Sequence, residues 1–154
     1  MLYNLCLPAW GFPGWTGQFF PKPVAGQSTL SLYSRVFNTV EGNTTFYRVP
    51  DLETAARWGS AVRGSGFRFS FKLHRSITHE ARPSAQDLRN FFLAMEQMHG
   101  SLGPFLVQCS ARLGPDDISR LEKIFAAYSS FVMNSFFNSQ SLPNPCLSAM
   151  VQGE

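Results

Sequence analysis

The chain has 154 residues, of which 44% are hydrophobic and 15% charged, and its formal net charge is +3. This length is enough for one domain with a buried core, and the composition is ordinary for a globular protein. The sequence contains no apolar run long enough to span a membrane, and its first ten residues lack the features of a secretory signal. The arginines are spread singly along the chain, which argues against a dedicated nucleic-acid-binding surface.

The three cysteines, Cys6, Cys109 and Cys146, are far apart and show no CxxC spacing. Such a pattern is typical of reduced thiols rather than of a disulfide framework or a zinc site. It therefore predicts a cytoplasmic protein.

The first half of the chain alternates between short apolar runs and segments with helical spacing of apolar residues. Glycines and prolines separate these elements, and Asp51 is a good N-cap residue. The predicted elements, in chain order, are a strand over Leu2–Leu7, a loop over Trp10–Pro23, a helix over Ser28–Phe37, a strand over Thr39–Asn43 and a helix from Pro50 to about Val62.

The alternation continues in the second half. A strand is predicted over Phe67–Leu73, where aromatic and polar residues alternate, and a helix begins after Ser84 with Asp87 in the position of a capping box. A fourth strand covers Phe105–Gln108. A final helix begins at Gly114-Pro115-Asp116, and the residues expected to face inward on it are Ile118, Leu121, Ile124 and Phe125.

About four strand–helix units in strict alternation predict an α/β fold with a parallel sheet. A complete eightfold barrel needs roughly 250 residues, so the chain supplies about half of one. The fold class is therefore a partial TIM-like (β/α) barrel with an irregular C-terminal tail. A half barrel leaves the outer edges of its first and fourth strands unpaired, and such edges favour self-association.

The last 26 residues differ from the rest in composition. Glu154 is the only charged residue after Tyr128, and no period of 2 or 3.6 is visible. Residues 1–128 are therefore assigned to the half barrel and residues 129–154 to an irregular tail. This tail is either a polar extension or sequence outside the native reading frame, and the second interpretation is favoured.

Four segments carry a resemblance to a known family. They are Leu7-Pro-Ala-Trp-Gly-Phe-Pro-Gly-Trp15, Phe37-Asn-Thr-Val-Glu-Gly-Asn-Thr-Thr-Phe-Tyr47, Gly66-Phe-Arg-Phe-Ser-Phe-Lys72 with Ile77-Thr-His-Glu80, and Leu102-Gly-Pro-Phe-Leu-Val-Gln108. In this order and at these spacings they resemble the N-terminal half of the YecE-like family, also called domain of unknown function 72.

The resemblance implies a TIM-like barrel but no reaction, because the family has no settled one. The sequence also departs from the family pattern after Gln108, where Cys109-Ser110-Ala111 replaces a proline-rich turn. The Glu, Arg and His cluster of the family's fifth strand has no match after Ala127.

In a barrel of this kind, the C-terminal ends of the strands form an opening, here called the mouth, that carries the chemistry. Glu41 and Asn43 share one face of the second strand. On the third strand Ser70 and Lys72 share one face, whereas Phe69 and Phe71 are expected to pack under the helices. Glu41 and Lys72 are predicted either to form a structural ion pair or to act as acid or base and as anion clamp. His79 follows the third strand and is predicted to carry protons, unless it only binds backbone.

Further residues are assigned to ligand binding. Gln108 ends the fourth strand, Asn43 ends the second, and the Trp10 ring either stacks on a ligand or closes the barrel end. Thr45 and Tyr47 follow the second strand in the family-like segment. No metal site is predicted, because Glu41 and His79 are the only suitable ligands at the mouth, and no cofactor can be assigned.

Three functions remain open at this point. The first is a barrel enzyme or binder that takes a small polar or anionic ligand at the mouth. The second is a non-catalytic nucleic-acid-binding or interaction barrel. The third is an inactive truncated fragment.

Overall fold

The computed structural model describes residues 5–18, 20–22, 28–80, 84–110, 118–138 and 147–149. Short 3₁₀ turns lie at Pro13–Trp15 and His99–Ser101. The strands are β1 (Thr39–Gly42), β2 (Arg68–Lys72), β3 (Leu102–Val107) and β4 (Leu147–Ala149). The helices are α1 (Thr29–Tyr33), α2 (Thr44–Tyr47), α3 (Leu52–Ala61), α4 (Arg75–Thr78), α5 (Ala85–Glu96) and α6 (Ile118–Asn138).

The strands form one parallel sheet in the order β1-β2-β3-β4, so neighbours in sequence are neighbours in space. The predicted α/β class with a parallel sheet is confirmed. Each crossover between β1, β2 and β3 contains a helix, as parallel neighbours require.

The core lies on one side of the sheet. Phe69 and Phe71 of β2 are fully buried there, and the Trp58 ring of α3 stacks on Phe71 with centroids 6.0 Å apart. Phe105 of β3 continues this layer against Phe91 of α5, at a centroid distance of 5.8 Å. The prediction that Phe69 and Phe71 pack under the helices is confirmed.

Local sequence signals set the helix starts. The Asp51 carboxylate accepts a hydrogen bond from the Thr54 N–H at 2.7 Å, and the Ser84 hydroxyl accepts one from the Asp87 N–H at 3.0 Å. Both side chains satisfy an amide that the first helical turn leaves without a partner. The helices predicted after Asp51 and Ser84 are therefore confirmed.

The predicted first strand is only partly within the described residues, because residues 1–4 lie outside them. Its described part, Leu5 to Leu7, forms no regular strand but runs beside β1, where the Glu41 N–H donates to the Leu7 carbonyl at 3.3 Å. The Tyr33 hydroxyl strengthens this attachment, since it accepts from the Leu7 N–H at 2.8 Å and donates to the Thr39 carbonyl at 3.2 Å.

Two statements about the C-terminal part need correction. The tail is not irregular where it is described, because α6 continues to Asn138 and β4 pairs in parallel with β3. For the same reason the outer edge of β3 is not unpaired. The predicted start of the last helix at Gly114 lies outside the described residues.

The inward face predicted for the last helix is half right. Ile124 is fully buried and Leu121 is partly buried against the core. Ile118 and Phe125, however, are exposed, because the sheet and α5 cover only a narrow stripe of α6. Among the described residues, no helix combines the length and apolar character needed to cross a bilayer.

Candidate functional site

The opposite side of the sheet carries polar residues. Strand register pairs Glu41 of β1 with Ser70 of β2, and Lys72 points to the same side two residues further on. All three side chains are partly buried, whereas the alternate residues Phe69 and Phe71 are fully buried under the helices. The face predicted for Glu41, Ser70 and Lys72 is therefore confirmed.

The predicted ion pair between Glu41 and Lys72 does not form. In the described part of the chain no salt bridge joins them, and the Lys72 Nζ atom instead lies 4.0 Å from the centroid of the Phe46 ring. A cation over an aromatic face is stabilised by the ring quadrupole. Register explains the separation, because Lys72 lies two residues, or about 7 Å, beyond the position opposite Glu41.

His79 approaches the same aromatic ring from its edge. The centroids of Phe46 and His79 are 5.0 Å apart with an interplanar angle of 77°, and the Thr78 hydroxyl oxygen lies 2.9 Å from His79 Nδ1. Partial burial of the ring, followed by the positive charges of Lys72, Arg75 and Arg120, lowers the pKa of His79 below its ordinary value. The imidazole is therefore neutral near pH 7 in a locally positive environment.

The segments after β1 and β2 are tied together by hydrogen bonds. Thr45 is fully buried, and its hydroxyl lies 2.9 Å from the Gly42 carbonyl and 2.6 Å from the Lys72 carbonyl. His74 accepts from the Ser76 N–H through Nδ1, and its Nε2 lies 3.3 Å from the Tyr47 carbonyl. These bonds fix the relative positions of Phe46, on α2, and of the Lys72 backbone.

The structure thus brings together two of the three predicted catalytic residues, Lys72 and His79, through Phe46. Glu41 lies deeper along the sheet, where its charge is the second cause, after burial, of a raised pKa of the Cys6 thiol. Among the described residues no group of three His, Cys, Asp or Glu side chains could hold a metal ion.

The predicted ligand-binding residues are more scattered. Trp10 packs edge-on against Trp58 and Phe69, with centroid distances of 5.0 and 6.1 Å, and so belongs to the helix-covered side of the sheet. Thr45 is occupied in the internal bonds described above. Tyr47 is 72% exposed, Asn43 precedes α2 without a capping bond from its side chain, and Gln108 follows β3 with partial burial.

Sequence reasoning did not single out Phe46, Arg75 or Arg120. Phe46 lies in the family-like segment, and Arg75 begins α4 shortly after the end of β2, so position alone could have suggested both. Arg120 gives no local signal, because it reaches the site from α6 across more than forty residues of chain.

Two cavities lie away from the mouth. A cavity of about 680 Å³ separates α5 from α6 and is lined mainly by apolar side chains, including Phe92 and Phe131. A smaller one of about 330 Å³ lies at the opposite end of the sheet, near Arg63 and Ser101.

These features define an α/β protein with a parallel sheet, a one-sided aromatic core and a basic mouth. Residues 5–135 match the family model described as "Protein of unknown function DUF72", and the chain belongs to this family. The match extends past residue 128, the predicted end of the half barrel.

Relatives and solved structures agree with this assignment. The chain is 33% identical over 123 residues to the UPF0759 protein YecE of Escherichia coli strain K12, and equally to that of strain O157:H7, which covers 79% of this chain. Two crystal structures of a DUF72 family protein from Enterococcus faecalis V583 match with TM-scores of 0.62 and 0.59 at 25% and 26% identity. They cover 82% and 79% of this chain.

The chain is shorter than these proteins. It spans 42% of the length of the two YecE relatives, and 49% and 42% of the two solved chains.

Proposed function

We propose that the chain binds a small polar, anionic ligand at the mouth, with Lys72 as the anion-binding group and His79 as a proton acceptor. The observation that carries this proposal is the arrangement of both side chains around the Phe46 ring, with Arg75 and Arg120 adding positive charge. An anion entering this environment gains Coulomb energy from several cations at once.

The geometry supports separate roles for the two groups. Lys72 carries three N–H donors on a flexible stem, and the Phe46 face holds its ammonium group in a fixed place. His79 Nδ1 lies at hydrogen-bond distance from the Thr78 hydroxyl, so Nε2 is the ring atom available to a ligand. A neutral imidazole beside an anion clamp suits general base chemistry.

Glu41 has a place in the same proposal. It lies about 7 Å deeper along the sheet than Lys72, because two strand residues separate their positions. A ligand that reaches both would be elongated, with its anionic end at Lys72 and a hydrogen-bond donor near Glu41. Asn43 and Gln108, at the ends of the neighbouring strands, would line its path, and Tyr47 would border the opening.

Inorganic phosphate is a suitable probe, followed by the backbone amide resonances of the isotope-labelled chain. We expect shifts confined to the segments 43–47 and 72–79. Lys72→Met should weaken phosphate binding by about tenfold, which corresponds to the loss of one charge-assisted contact. The matched control is Lys123→Met, which removes an exposed lysine of α6 that lines the other cavity.

Two results would contradict the proposal. In the first, phosphate shifts no resonance at the mouth. In the second, Lys72→Met and Lys123→Met weaken binding equally, which would mean that phosphate responds to net charge alone. If binding is confirmed, the variants Glu41→Gln and His79→Asn distinguish a binder from an enzyme. In an enzyme these substitutions should lower turnover of the bound ligand while its affinity is kept, whereas a binder shows no turnover with or without them.

A further inference from the structure

Arg120 connects the C-terminal helix to the mouth. Its side chain is 7% exposed, and its guanidinium donates to the Thr78 carbonyl at 3.4 Å and also to the Glu80 carbonyl. The two acceptors belong to the residues on either side of His79. The planar guanidinium can hold two such carbonyls at once, which a lysine ammonium does with less directional control.

The contacts of His79 depend on the segment that Arg120 holds. The Thr78 side chain reaches His79 Nδ1, and the Thr78 hydroxyl also lies 3.5 Å from the His74 carbonyl. His79 itself ends α4, where its N–H donates to the Arg75 carbonyl at 2.7 Å. The end of α4 is thus bonded internally on one side and to α6 on the other.

The charged and titratable groups around His79 come from every neighbouring element. Lys72 belongs to β2, Arg75 to α4 and Arg120 to α6, while Glu80 follows His79 directly in the chain. Cys109, after β3, is also within the field of Arg120, although burial is the larger effect and raises the pKa of its thiol. In the part of the chain that the structure describes, these three cations outnumber the neighbouring Glu80 carboxylate.

We propose that Arg120 is a positioning residue of the anion site: it fastens Thr78 and Glu80 to α6 and so holds the His79 ring at the edge of Phe46, beside Lys72. The expected effect on anion binding rests on the proposed function, whereas the positioning of His79 by Arg120 does not. It assigns α6 a part in the site although no residue of α6 touches Phe46 or Lys72 in the described contacts.

The test compares Arg120→Met, Arg120→Lys and the control Arg89→Met, which removes an exposed arginine of α5. The pKa of His79 is measured by NMR titration of its ring protons without added anion, and phosphate affinity is measured separately. Arg120→Met should raise the pKa of His79, because a nearby positive charge is lost. It should also weaken phosphate binding by about tenfold.

Arg120→Lys keeps the charge and loses the forked contact. We expect the pKa of His79 to stay close to the wild-type value, while the ring contact with Phe46 weakens and phosphate affinity falls by about threefold. Arg89→Met should change neither quantity. The inference is wrong if a folded Arg120→Met variant keeps the wild-type His79 pKa and phosphate affinity.

The outcomes separate this inference from the proposed function. If the wild-type chain binds no phosphate but Arg120→Lys, which keeps the charge, still weakens the ring contact between His79 and Phe46, the anion site fails and the positioning role stands. If Arg120→Met does not fold, the test is made on the wild-type chain instead, by measuring the NMR resonances of the Arg120 guanidinium Nη atoms. Slow rotation of the guanidinium group would support the contacts of Arg120 with the Thr78 and Glu80 carbonyls, and free rotation would contradict them.

Discussion

The two sides of β2 differ sharply in what covers them. Phe69 and Phe71 are fully buried beneath α3 and α5, whereas Ser70 and Lys72 on the other side are only partly covered. The alternation of side chains along a strand places these residues one position apart in sequence but on opposite surfaces. The covered side carries the buried core, and the uncovered side carries residues of the proposed anion site.

The sheet has its helices on one side, and more than half of each YecE relative has no counterpart in these residues. Stability and function can therefore be disturbed separately, which the following substitutions exploit.

The largest expected effect is on the covered side. Phe71→Ala should lower the free energy of unfolding by about 3–5 kcal/mol, because it removes a buried ring and leaves a cavity beneath Trp58. Ser70→Ala, one residue away, should change it by less than about 0.5 kcal/mol. Urea denaturation followed by circular dichroism measures both, and equal losses would contradict the division between the two sides.

A smaller effect is expected at Gly42, which pairs with Phe71 across β1 and β2. A Cβ atom at this position would overlap the Phe71 ring, so Gly42→Ala should cost about 1–3 kcal/mol through overpacking. Gly11→Ala is the matched control, because nothing lies within 4 Å of a Cβ atom there. If the two variants melted at the same temperature, the close packing of the covered side would be in doubt.

Thr45 links the core to the mouth, and its loss should have a moderate effect. Thr45→Val keeps the shape of the side chain but removes the hydroxyl that bonds the Gly42 and Lys72 carbonyls. We expect a loss of about 1 kcal/mol and a weaker phosphate affinity, because the Lys72 backbone is released. Thr44→Val, at an exposed neighbouring position, is the control. A Thr45→Val variant with unchanged stability and affinity would show that these bonds do not position the site.

The smallest effect is expected from pH. The pKa of His79 is lowered in the folded chain from its ordinary value of 6.5. At a pH between the folded-state pKa and 6.5, the unfolded chain therefore binds more protons than the folded chain. The free energy of unfolding should therefore fall as the pH decreases through this window below 6.5. His79→Gln should lose this part of the pH dependence, and an unchanged profile in that variant would contradict the cause assigned to it.

Much of the covered side could be predicted from sequence. The period-2 pattern of Phe67–Leu73 and the capping residues Asp51 and Ser84 predict elements that the structure contains. These signals come from residues close together in the sequence, and the period-2 pattern itself indicates which side chains of the strand are buried. The family-like segments indicated the family, and the family model confirms that assignment over residues 5–135.

The site was harder to predict, because its contacts are not local. Lys72 and His79 could be placed at the mouth from their positions after a strand, but not the Phe46 ring that brings them together. The ion pair between Glu41 and Lys72, one of the two alternatives predicted, is absent because strand parity shows which face a residue occupies and not how far along the neighbouring strand its partner lies. The role of Arg120 could not be predicted from the sequence, because its partners are backbone carbonyls that are distant along the chain.

The most direct test of the account is the pKa of His79 measured by NMR with and without saturating inorganic phosphate. Binding of an anion beside the ring favours the protonated imidazole, so the pKa of His79 should rise when phosphate is bound. If the pKa is the same in both conditions, no anion binds next to His79, and the proposed site is wrong.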